Sequence, residues 1–233
     1  MVSVLIVNNQ SLQRLGLRML LTAEPDLTVV GEAVRGAEAV RLSAALRPDV
    51  VLMATPSPDT DGIDAIRRIT RPVRLLPDAP DSARPDRLPP RVLVLASTRG
   101  EAHAHAALRA GAGGFLPHNA SPDQLTAAIR IVSAGDAVIT PGLTRALVDA
   151  VRQQPNPHPL DQHTGSDTFT GRERDVLLAV ASGWSNAEIA ARLSIAPATV
   201  KSHVSHILAK IQARSRVQAV TYAYESGLVQ PAA

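Results

Sequence analysis

Five short apolar runs punctuate the first 135 residues, and they restrict the fold more than anything else in the chain. Val2–Val7 (VSVLIV), Leu27–Val30, Asp49–Met53, Arg91–Leu95 and the weaker Gly114–Leu116 are rich in Val, Leu and Ile. Runs apolar on successive rather than alternate residues suit strands covered on both faces of a sheet. Helical spacing separates them. Leu12, Leu15, Gly16, Met19 and Leu20 recur at i, i+3, i+4, i+7 and i+8, and Leu125, Ala128, Ile129 and Val132 follow the same rule. Ser121 followed by Pro122 predicts a helix start, with a hydroxyl cap and a proline whose missing N–H costs nothing there. This alternation predicts a doubly wound, five-stranded parallel α/β domain over residues 1–135. In such a sheet the functional site lies beyond the C-terminal ends of the strands, near the switch point. The residues at those ends are Asn8, Asn9, Ala54, Ala96, Ser97 and His118.

The pattern then changes. Arg71–Pro90 holds six of the chain's 18 prolines and predicts a surface loop within the first domain. Residues 136–168 read as a helix from about Pro141 to Gln153, followed by a polar, Pro-rich linker over Gln154–Thr168. Residues 169–233 are helical throughout. Thr170 can cap a helix carrying Val176, Leu177, Val180 and Ala181 that stops at Gly183. Ser185 with Glu188, and Ser215 with Gln218, have the spacing of capping boxes, and Gly227 suits a C-terminal stop. Between them lies APATVKSHVSHILAKI, Ala196–Ile211. Its apolar residues, Val200, Val204, Ile207, Leu208 and Ile211, form one buried stripe. The other face carries Ser202, Ser205, His206 and Ala209, flanked by Lys201 and Lys210, the only two lysines among 24 basic residues. Short side chains let a helix sit deep in the major groove, and lysines reach guanine edges or phosphates. Two short helices, a tight turn and such a second helix make a helix-turn-helix.

Composition narrows the alternatives. A formal charge of only +3 supplies no global basic field, so any DNA contact must be a local patch. The absence of Cys excludes disulfides and thiolate metal sites and fits a reducing compartment. No apolar run reaches the roughly 18 residues that span a bilayer, and no signal-peptide pattern opens the chain. A cytoplasmic protein with no metal, cofactor or membrane partner is expected. No nucleophile–base pair stands out, so no enzyme activity is expected. His103 and His105 are two apart, which puts them on different helix faces, and Gly111–Gly114 precedes a strand and opens no helix.

The runs GRER, GWSNAEIA, ATVKSHVSHILAKI and RVQAV, in that order, resemble the LuxR-type DNA-binding domain. The runs VLIVNNQSLQRLGLRMLL, PDVVLMA, VLVLAS and ALRAGAGGFLPHNASPDQLTAAI resemble the receiver domain of NarL/FixJ-type response regulators. The resemblance implies a DNA-binding transcription regulator acting as a homodimer on double-stranded DNA. Lys201, Ser202 and Ser205 stand where the family reads the groove. Thr199, His206 and Lys210 are further candidate contacts, and His203 lies at the edge of the apolar stripe. Val217, Val220, Thr221 and Tyr224 stand on the helix that pairs subunits in the family; packing on their own domain is the alternative.

The receiver departs from the family where its chemistry lies. The metal-binding acids are replaced by Asn8 and Asn9, the phospho-accepting Asp by Ala54, the switch hydroxyl by Ala96, and the Lys by His118; Phe115 keeps the aromatic position. Mg²⁺ needs hard, preferably anionic oxygens, and Ala54 offers no nucleophile. A receiver working without Asp phosphorylation is therefore expected, open to a small-molecule effector. Product control is a known theme among related regulators with such receivers, which points to specialised metabolism. The alternatives are phosphorylation at Thr55, Ser57 or Asp59, and a receiver serving mainly as a protein-binding module.

Overall fold

The computed structural model describes residues 1–54, 60–70, 89–96, 101–138 and 169–229. The expected loop at Arg71–Pro90 (all but its last two residues), the helix at Pro141–Gln153, the linker, and Thr55, Ser57, Asp59 and Ser97 lie outside them, as do the side chains of His103 and His105.

The first domain is built from β1 (Val2–Val7), α1 (Ser11–Thr22), β2 (Leu27–Ala33), α2 (Gly36–Leu46), β3 (Val50–Ala54), α3 (Thr60–Ile69), β4 (Arg91–Ala96), α4 (Glu101–Ala110), β5 (Gly114–Pro117) and α5 (Pro122–Ala134). The strands form one parallel sheet in the order β2-β1-β3-β4-β5, which places the switch point between β1 and β3. Side chains alternate across the sheet. Leu5 and Val7 point into one apolar layer with α3 and α4, while Val4 and Ile6 point into the other with α1 and α5. Covering both faces explains the unbroken apolar strand sequences. Ser121 caps α5 through a complete capping box with Gln124. The chain stays on this domain through Val138, which bridges to Gly114 and packs on the α1/α5 layer.

One expectation fails in orientation. Helix α1 forms as predicted, but Leu12, Leu15 and Met19 are 81%, 41% and 66% exposed. Leu21 is buried, and Leu17 and Leu20 pack beside it on the sheet. The helix carries two apolar stripes; four of the five positions whose periodicity identified it follow the outward one, and Leu20 belongs to the inner one.

The second domain contains α6 (Gly171–Ala181), α7 (Asn186–Leu193), α8 (Pro197–Lys210) and α9 (Arg216–Glu225). It has its own core of Val176, Leu177, Val180, Ile189, Val200, Ile207 and their neighbours. Thr170 and Ser185 close full capping boxes with Glu173 and Glu188. The box expected at Ser215 is only half made. Ser215 accepts from the Gln218 backbone N–H, but the Gln218 side chain turns away: its Oε1 accepts from the Arg214 N–H at 2.6 Å and its Nε2 donates to Arg109 O of the first domain at 2.7 Å.

Candidate DNA-binding interface and receiver pocket

Helix α8 presents the face that its sequence defines. Val200, Val204 and Ile207 are buried, and Leu208 and Ile211 pack against the same core. Thr199, Lys201, Ser202 and His206 are exposed, and His203 and Ser205 are half-buried. The serines return their protons to the helix: Ser202 Oγ donates to Ala198 O at 3.2 Å and Ser205 Oγ to Lys201 O at 2.8 Å. Ala196 leaves the helix start without a side-chain cap, and Pro197 occupies its first turn. A Ser or Asp there would add about 1 kcal/mol.

Lys210 has a second partner to weigh against DNA. Its Nζ donates to Glu173 Oε2 at 2.6 Å. Glu173 is 5% exposed and also accepts from Thr170 N and Oγ1. The hydrogen bond from Lys210, followed by that from the Thr170 backbone, holds the Glu173 carboxyl down to about 2. This pair ties α6 to the end of α8 and thereby sets the angle of the exposed face. Nearby, the Arg192 guanidinium lies 4.1 Å from the ring centre of Trp184.

The two domains are docked on each other. Arg216 in the first turn of α9 is 7% exposed; its Nη1 lies 3.3 Å from Asp136 Oδ1 and donates to Asn186 Oδ1 at 3.0 Å, and its Nη2 donates to Trp184 O. Burial pushes the guanidinium pKa down, and Asp136 opposes that push. Asn186 N donates to Asp136 Oδ1 at 3.2 Å. Gln218 binds the end of α4, as described above, and Arg214 Nη1 donates to Ala110 O at 3.5 Å. Val217 inserts into the α3/α4 layer of the receiver, so of the four residues expected to pair subunits, this one faces the first domain. Val220 packs within its own domain, and Thr221 Oγ1 donates to Val217 O at 3.2 Å. Tyr224 is half-buried. Gly111, at φ +113°, makes this approach feasible: a Cβ there would come within 2.9 Å of Arg214 Cβ and 2.5 Å of Thr70 Oγ1. Lys201 and Ser205 line the cavity between the domains, opposite Pro90 and Arg91. Sequence reasoning missed Arg216, Asp136, Asn186 and Gln218. The one signal was Arg216 itself, a cation in a first helical turn where the macrodipole disfavours it.

At the C-terminal edge of the sheet the expected pocket residues follow or end their strands: Asn8 and Asn9 after β1, Ala54 ending β3, Ala96 ending β4 and His118 after β5. Asn8 is fully buried and its amide is engaged. Its Nδ2 donates to Gln13 Oε1 at 2.9 Å, and its Oδ1 accepts from Gln10 N at 2.6 Å. Its backbone oxygen accepts from Arg14 Nη1 at 2.8 Å, while Arg14 Nε pairs with Glu32 at 2.9 Å. Asn9 is exposed. An occupied amide, an exposed amide and a methyl offer a divalent cation no anionic oxygen, so these residues do not fit the Mg²⁺ that receivers of this type bind. Among the described residues no group of three His, Cys, Asp or Glu is placed to hold a metal, and no helix is long and apolar enough to cross a membrane.

A parallel sheet in the order 2-1-3-4-5 joined to a helix-turn-helix defines a receiver-type regulator with a DNA-binding output domain. Residues 4–130 match the response regulator receiver domain, and residues 167–223 match the bacterial regulatory proteins of the luxR family. The chain is 31% identical over 223 residues to the nitrate/nitrite response regulator protein NarL of Escherichia coli K12, covering 96% of this chain and 95% of that protein. It is 31% identical over 229 residues to the response regulator protein VraR of Staphylococcus aureus, covering 98% and 99%. The crystal structure of a LuxR-family two-component response regulator from Aurantimonas sp. SI85-9A1 superposes with a TM-score of 0.51 at 29% identity, covering 64% of this chain and 96% of that one. The chain belongs to the NarL/LuxR family of response regulators, which are DNA-binding regulators and not enzymes.

Proposed function

We propose that this chain is a sequence-specific transcription regulator whose receiver works without Asp phosphorylation and holds the reading helix shut until the domains part. The observation that carries this reading is the position of Lys201 and Ser205 in the interdomain cavity. A duplex approaching that flank of α8 would meet Pro90 and Arg91 of the receiver across the cavity. Val217 is held by the receiver as well, so dimerisation through α9 needs the same release. Ala54 and the engaged Asn8 amide support independence from phosphate. In the open form two copies would place α8 in successive major grooves, with Lys201, Ser202, Ser205, Thr199 and His206 toward the DNA. The signal for opening then falls to a small molecule or a partner protein.

The test is DNA affinity at fixed salt, comparing the full chain with residues 166–233, which hold their own core. Salt is fixed because phosphate contacts make affinity steeply salt-dependent. Tighter binding by the fragment is expected. Equal or tighter binding by the full chain overturns the closed-state reading. A phosphodonor treatment followed by mass spectrometry is expected to add no phosphoryl group, and an added group on the receiver overturns phosphate independence.

A further inference from the structure

The cavity between the domains has a volume of about 160 Å³. That is close to the roughly 150 Å³ known to admit a benzene-sized ligand. Its charge is one-sided. Among the described residues, Arg91 lines it from the receiver, and Lys201, Arg214 and Arg216 line it from the DNA-binding domain, against one carboxylate, Asp136. That carboxylate is already used by Arg216 and the Asn186 backbone. Among the described residues, Arg91, Lys201 and Arg214 have no carboxylate within ion-pair distance.

Arg91 is the informative one. It sits at the first position of β4, and its Nη1 reaches only Ser133 O at 3.3 Å. Gly135, at φ +97°, makes room for it: a Cβ there would stand 2.9 Å from Arg91 Nη2. Desolvation pushes this guanidinium pKa down, with Asp136 and Asp49 opposing from farther off. A half-buried guanidinium with no carboxylate in direct contact is an unfavourable arrangement, and a bound oxyanion relieves it through paired N–H donors.

We propose that the interdomain cavity is a binding site for a small polyvalent oxyanion, a phosphate compound or a compact dicarboxylate of about six to ten heavy atoms, held between Arg91 of the receiver and Arg214 and Lys201 of the DNA-binding domain. Such a ligand bridges the two domains and occupies the lysine that DNA requires. It therefore strengthens the closed state and weakens DNA binding. The site stands on the cavity alone; its regulatory effect rests on the closed-state reading above.

The experiment is calorimetric titration of the full chain with sodium pyrophosphate and, separately, with succinate, sodium chloride holding the ionic strength constant. Saturable one-to-one binding by at least one probe is expected, and the stronger arm identifies the class. Arg91→Gln and Arg214→Gln are each expected to weaken it roughly tenfold or more. If Arg91→Gln fails to fold, the half-buried Arg214 carries the test. No saturable binding of either probe, or equal binding by the folded variants, overturns the site. Trp184, the only tryptophan, receives the Arg216 hydrogen bond beside the cavity, so its emission supplies a second readout of binding. DNA affinity of the full chain, measured with the bound probe present, is expected to fall. If the probe binds and DNA affinity is unchanged, the site stands and its coupling to the closed state is refuted.

Discussion

Removing the Asp136 carboxylate tests the closed state from the side of the interface that never touches DNA. Arg216 cannot serve, because it also holds Asn186 and the Trp184 carbonyl inside its own domain. Asp136 belongs to the receiver and lies 3.3 Å from Arg216, with side-chain exposures of 19% and 7%. Breaking a buried pair by deleting one partner typically costs about 3–5 kcal/mol, because the remaining charge stays desolvated. In Asp136→Ala the Arg216 guanidinium keeps its Asn186 and Trp184 contacts and some attraction from Glu188, so about 2–3 kcal/mol is the appropriate range. This penalty applies only to the docked state; on opening, Arg216 regains water. The closed–open equilibrium should therefore shift toward open by roughly 30- to 150-fold. Where only the open fraction binds, apparent DNA affinity rises by the same factor until it meets that of residues 166–233. Fluorescence anisotropy with a labelled duplex from the chain's own upstream region, at one salt concentration, measures this. Asp136→Asn keeps the shape, removes the charge and should move affinity in the same direction. If the fragment binds tighter than the wild-type chain and both Asp136 variants bind like wild type, the Arg216 pair does not hold the domains together.

Two further outcomes follow from the DNA-binding domain itself. Glu173 is ionised down to about pH 2 in the folded state, against an ordinary value of 4.5, so its stabilisation is complete above pH 4.5 and disappears as pH falls from there toward 2. Urea melts should show Glu173→Gln less stable than wild type by roughly 1–3 kcal/mol at pH 7, with the gap closing below pH 4.5; a gap independent of pH would show that the charge is irrelevant. Lys201→Ala should weaken binding to all duplexes alike and reduce the salt slope by about one, whereas a loss confined to one base position would make Lys201 a base reader.

What the sequence disclosed and what it concealed divide along a physical line. Capping residues act within one turn, so Ser121, Thr170 and Ser185 announce their helices, and all three boxes close in the structure. The stripe of Val200, Val204 and Ile207 is likewise a property of one helix. Periodicity does not say which of two stripes faces the sheet, and α1 turned its more regular one, Leu12, Leu15 and Met19, outward. The interface is concealed because its partners are far apart in sequence: Gln218 finds Arg109 across 109 positions, and Arg216 finds Asp136 across 80. Yet both residues depart from what their own helix prefers, Arg216 legibly in the sequence and Gln218 only in the structure. Gln218 has capping-box spacing but does not complete the box, and Arg216 puts a cation where the helix dipole opposes it. A residue that violates its own helix's preferences is stabilised by something beyond that helix. Both violations fall in the first turn of α9, and that turn is where the receiver docks. On the same argument Ala196, the one uncapped start among the four helices of the DNA-binding domain, leaves first-turn N–H groups without a side-chain acceptor. Backbone phosphate of a bound duplex is an acceptor that such an end could take.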